Sequence, residues 1–89
     1  MTNYRVKMSN QAKSDREKYK DKPALKNKLL QLVDLISRNP YECPPSYEKL
    51  TGDLKGFYSR RINKQHRLVY SVRETESVVM IFSMWTHYE

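Results

Sequence analysis

Residues 57–85 read FYSRRI NKQH RLVYSV RETES VVMIFSMW, and the division of this stretch decides the fold. β-Branched and aromatic residues concentrate in three runs, 57–62, 67–72 and 78–85, which is the composition of strands. Between them lie the polar segments Asn63-Lys64-Gln65-His66 and Arg73-Glu74-Thr75-Glu76-Ser77, of a length that joins antiparallel neighbours. Alternation then assigns faces. Phe57, Ser59 and Arg61 share one side, as do Arg67, Val69 and Ser71, while Leu68, Tyr70 and Val72 point the other way and read as core.

Working upstream, residues 39–46 hold Pro40, Pro44 and Pro45 and read as an extended connection, and Thr51-Gly52-Asp53 and Lys55-Gly56 mark turns. Leu25, Leu29, Leu32, Val33 and Ile36 recur at spacings of mostly three and four, one apolar stripe on a helix that opens at Pro23 and stops at Asn39-Pro40. Ser9 or Asn10 offers an N-cap for an earlier, very polar helix over 11–22, whose apolar positions are Ala12 and Tyr19. Residues 4–8 alternate apolar and basic side chains as a half-buried strand does. The order is β-α-α-β-β-β, an α+β fold in which a helical hairpin packs on one face of an antiparallel sheet and leaves the other face polar.

The 89 residues are expected to form a single domain, 1–89. Lys and Arg number 17 against 10 Asp and Glu, and the resulting +7 points to polyanionic partners: nucleic acid, an acidic protein or an anionic surface. A core this thin leaves no room for a cofactor. One cysteine, Cys43, excludes an internal disulfide, and with no secretion signal in the first ten residues a reducing cytoplasm is the expected compartment. The longest apolar run, 78–82, is far short of the ~20 residues of a membrane-spanning helix, so no membrane partner is expected. Two histidines and one cysteine without ligand spacing argue against a metal site. Two glycines, Gly52 and Gly56, provide neither a phosphate loop nor a dinucleotide fingerprint.

What remains is basic and aromatic. Arg60, Arg61, Arg67 and Arg73 lie in or beside the 57–72 hairpin with Phe57, Tyr58 and Tyr70, a mixture that grips phosphates and stacks bases, although a solvated strand face is the simpler account of the composition alone. If Arg61 pairs opposite Arg67, two like charges share one side of the sheet, a register that an intervening phosphate would stabilise. Taken singly, Glu48 reads as a surface carboxylate, His66 as a structural turn residue and His87 as a tail residue.

Taken together these residues match a pattern. Glu48, the run from Leu54 to Ile62, His66-Arg67-Leu68-Val69-Tyr70 and the closing His87-Tyr88 resemble the YoeB/Txe branch of the RelE-like toxins of bacterial toxin–antitoxin systems, over the whole length and in domain order. The resemblance implies a cytoplasmic endoribonuclease that docks in the ribosomal A site and cuts mRNA there without metal or cofactor. By position it implies Glu48 as base, Arg67 as phosphate stabiliser supported by Arg61, His87 as acid and Tyr88 as a phosphate or base contact; Arg60, Arg61, Tyr58 and Trp85, basic or aromatic, are the expected RNA contacts, Trp85 by stacking. It also implies a cognate acidic antitoxin, ribosome and mRNA as partners, and a homodimer as a possible assembly. Met84-Trp85-Thr86 before the terminal pair, and Glu89 after it, depart from the family pattern. Two other readings of the same residues are a non-catalytic RNA- or ribosome-binding module and a gyrase-inhibiting relative of the same fold.

Overall fold

The computed structural model describes residues 3–85. In chain order the elements are β1 (Arg5–Met8), α1 (Asn10–Glu17), α2 (Pro23–Arg38), β2 (Glu48–Lys49), β3 (Phe57–Arg61), β4 (Arg67–Arg73) and β5 (Val78–Ser83), with 3-10 turns at Gly52–Leu54 and Glu74–Glu76.

Ser9 caps α1 as its residue type predicts: its hydroxyl accepts from the Ala12 N–H at 3.0 Å and donates to the Phe82 carbonyl at 2.7 Å, tying the helix start to β5. The helix ends at Glu17, earlier than the polar pattern over 11–22 predicts. Two local causes act there. Lys22 precedes a proline and takes a non-helical backbone, and Tyr19 is drawn fully into the core. The Tyr19 hydroxyl donates to the Met84 carbonyl, and burial, with the Asp15 charge adding to it, pushes the phenol up to about 12. Helix α2 starts with Pro23 in its first turn and buries Leu29, Leu32 and Ile36, with Leu25 and Val33 packed at the margin.

The strand order is β1-β5-β4-β3-β2. β2–β3, β3–β4 and β4–β5 are antiparallel, but β1 lies parallel to β5, with Arg5 opposite Val78 and Met8 opposite Ile81. The sheet is therefore mixed where a wholly antiparallel one was expected. β5 is thereby an interior strand, paired with β4 on one edge and β1 on the other, and its Val78, Val79 and Ile81 are buried as suits that place. The two helices cover one side, where Ala12, Tyr19, Leu29, Leu32 and Ile36 pack with Ile62, Leu68, Tyr70, Val79, Ile81 and Met84. On the open side Phe57 and Phe82 meet edge to face at 5.3 Å, beside a polar surface centred on β2, β3 and β4. Among the described residues no helix is long and apolar enough to cross a membrane.

Candidate active site

Gly56 enters β3 with φ +97, a left-handed value that suits glycine, and the strand then runs with Ser59 and Arg61 on the open face. Register does the rest. Glu48 of β2 lies opposite Ser59, Ser59 opposite Val69, and Arg61 opposite Arg67. Three short neighbouring strands thereby bring a carboxylate, a hydroxyl and two guanidiniums together from positions 48, 59, 61 and 67. They line a cleft of about 240 Å³ with Ser46 and Tyr47.

Within it the Arg67 guanidinium donates to Glu48 Oε1 at 3.1 Å and reaches the Ser59 hydroxyl at 3.5 Å. Glu48 is 69% exposed and Arg67 34%, so this ion pair is of the surface kind, worth roughly 0–1 kcal/mol, and opens readily when another anion competes. Among the described residues Arg61 makes no ion pair. Two cations against one carboxylate leave the cleft net positive, with one guanidinium uncommitted. Such a site can hold a phosphate, and once Arg67 turns to that phosphate, Glu48 is released to accept a proton. Among the described residues no group of three or more His, Cys, Asp or Glu is placed to hold a metal ion.

The structure thus gathers Glu48, Arg61 and Arg67 and exposes them on one face. His87 and Tyr88 lie outside the described residues. Arg60 is a correction: expected to bind RNA, it points to the opposite face of β3, is fully buried and spends its N–H groups inside the protein. Tyr58 is displaced from the cleft for the same reason of parity, and its half-buried ring sits among Tyr41, Tyr47 and Tyr70 at 5.5–5.8 Å. The Trp85 ring, expected to stack on a base, instead stacks on His66 with centroids 3.8 Å apart and meets the edge of Tyr19 at 5.3 Å. Lys18 and Lys22 lie 5.9 and 6.0 Å from that ring. His66 is buried and structural, as its turn position predicts; burial, and then the Lys22 charge, lower its pKa from the ordinary value. Tyr47 and Ser46 were missed by sequence reasoning, and Ser59 was assigned a face without a role. Strand parity counted back from Arg61 would have found Ser59, and adjacency to Glu48 would have found Tyr47.

The mixed five-stranded sheet backed by two helices, with its open-faced cleft of carboxylate and paired arginines, is a RelE-like fold. At that level the fold is shared with a solved RelBE2 toxin–antitoxin complex from Mycobacterium tuberculosis (TM-score 0.73, 22% identity, 97% of this chain and 100% of that one). Residues 8–88 match the model of the YoeB-like toxin of bacterial type II toxin–antitoxin systems, and the chain belongs to that family. A Synechocystis Toxin YoeB is 38% identical over 69 residues, covering 78% of this chain and 77% of the relative. The toxin in a YoeB–YefM complex from Staphylococcus aureus superposes with a TM-score of 0.83 at 35% identity, over 98% of this chain and 100% of that one.

Proposed function

We propose that this toxin is a ribosome-dependent endoribonuclease that cuts mRNA in the A site by metal-free attack of the RNA's own 2′-hydroxyl. The observation that carries the reading is the Glu48–Arg67 contact at 3.1 Å beside Arg61, since it sets a base next to a phosphate grip. The scissile phosphate settles between Arg61 and Arg67. Glu48 takes the proton of the 2′-hydroxyl, its oxygen bonds to phosphorus, the bond from phosphorus to the 5′-oxygen breaks, and His87 gives that oxygen a proton. The products are a 2′,3′-cyclic phosphate and a free 5′-hydroxyl. As charge builds on the phosphoryl oxygens, Arg67 stabilises it, supported by Arg61. Tyr88 contacts the phosphate or the adjoining base.

The +7 charge suits an acidic antitoxin that covers the basic face at rest, in keeping with the complex formed by the S. aureus relative. That relative has also been solved as a dimer, and a homodimer is the assembly we expect for this chain. The ribosomal substrate makes the cytoplasm the working compartment.

The test is primer-extension mapping of 5′ ends on mRNA in defined translating ribosomes, with a ribosome-free lane and a His87→Gln control. Cuts at A-site codons that need both the ribosome and His87 are the expected result. Intact RNA on ribosomes that still bind the protein would replace the nuclease with a binding module.

A further inference from the structure

We propose that Arg60, buried beneath the cleft, is a positioning residue that sets Glu48 for proton transfer; the proposal rests on the reading of Glu48 as the base. Its guanidinium is fully buried. The Nε–H donates to the Tyr70 hydroxyl at 2.9 Å, Nη1 to the Pro45 carbonyl at 2.7 Å and Nη2 to the Pro40 carbonyl at 2.9 Å. The Tyr70 hydroxyl in turn donates to the Pro40 carbonyl at 2.8 Å, and the guanidinium lies 4.9 Å from the centre of the Tyr47 ring.

These contacts fasten both ends of the proline-rich connection and the residue immediately before Glu48. The connection needs fastening. β2 has only two residues, and its hold on β3 is the pairing of Glu48 with Ser59 and Lys49 with Tyr58, extended by the Leu50 N–H to the Phe57 carbonyl at 2.9 Å. A strand that short does not fix its own place, so the path of 40–47 decides where the Glu48 carboxylate stands relative to Arg67.

The chemistry of the buried group points the same way. Among the described residues no carboxylate pairs with Arg60. Burying a guanidinium without a counter-ion is costly, and an apolar side chain of similar volume would fill the space without that cost if filling were the only need. What an apolar residue lacks is a rigid planar fork whose N–H groups meet three fixed acceptors at once. Lysine lacks it too, having one nitrogen on a flexible stem.

The test compares wild type, Arg60→Lys, Tyr70→Phe, Glu48→Gln and the double variant Arg60→Lys/Glu48→Gln. Single-turnover cleavage of ribosome-bound mRNA, ribosome affinity and amide exchange are measured for each. Misplacing a base by about an ångström costs on the order of 100-fold, so Arg60→Lys should cut roughly 10- to 100-fold more slowly with ribosome affinity unchanged. Tyr70→Phe, which removes one hydroxyl and leaves the fork, should show a smaller loss and serves if Arg60→Lys folds poorly. In the Glu48→Gln background Arg60→Lys should add nothing, and amides at 41–49 should lose protection while β4 and β5 keep theirs. Wild-type cutting by Arg60→Lys, an equal further loss in the Glu48→Gln background, or loss of protection across the whole sheet would each overturn the positioning role while Glu48 stays the base. Full cutting by Glu48→Gln would remove the base assignment and the proposal with it.

Discussion

Arg61 and Arg67 are register partners across the β3–β4 hairpin, so two guanidiniums stand opposite each other on the open face of the sheet while Arg67 leans onto Glu48. Like charges at directly opposed positions oppose strand pairing, and the arrangement is at ease only when an anion lies between them.

Removing one of the two charges should therefore stabilise the free protein. Arg61→Gln is expected to raise the unfolding free energy by about 0.2–1 kcal/mol in low-salt urea titrations. It should also lose most of the thermal stabilisation that added inorganic phosphate gives the wild type. A destabilised Arg61→Gln that still responds to phosphate would show that the pair is not an anion site.

Glu48→Gln should separate activity from stability. The Glu48–Arg67 pair is largely exposed, so its loss should change stability by no more than about 1 kcal/mol. Cleavage on the ribosome should fall by about 10²- to 10⁴-fold, the range for a lost acid or base. Equal falls in melting temperature and activity would instead make Glu48 a structural residue.

The His66–Trp85 stack makes stability depend on pH in the mildly acidic range. Burial and Lys22 hold the folded pKa of His66 below its ordinary value of 6.5, so in that interval the unfolded chain binds more protons than the folded one. Stability from this group is complete above about 6.5 and is lost as pH falls through the folded pKa. Urea midpoints followed by the emission of the single tryptophan, Trp85, should fall between pH 7 and 5. His66→Gln should remove that portion of the slope, and an unchanged slope would place its origin elsewhere.

Asp15 ties α1 to the residue that follows β5. It is buried, and its Oδ2 accepts the Met84 N–H at 3.0 Å. Asp15→Ala leaves that N–H without its partner in the core and should cost about 1–3 kcal/mol in chemical unfolding. A change within error would mean that water replaces the carboxylate.

Local pattern carried much of this fold. The stripe from Leu25 to Ile36 gave α2, and strand alternation placed Leu68 and Tyr70 on the core face and Ser59, Arg61 and Arg67 on the opposite, cleft-bearing face. The same alternation puts Arg60 and Tyr58 with the inward set; residue type argued for the surface, and the acceptors that make an inward arginine tolerable lie 10 to 20 positions away. The parallel edge was hidden because no local feature names a strand's partner across 70 residues. β2 was hidden because two residues carry no period. Trp85 looked available for RNA because its partner, His66, belongs to a turn whose place in space depends on the whole sheet.

The parallel pairing of β1 with β5 also sets a schedule for synthesis. A growing chain that has emerged as far as Lys64 holds both helices and Glu48, but Arg67 has not appeared, β3 has no partner in β4, and β1 waits for residues 78–81. Contacts of such long range form last. The cleft of Glu48, Arg61 and Arg67 is therefore one of the last parts of the molecule to take shape, closing only after most of the chain has been made.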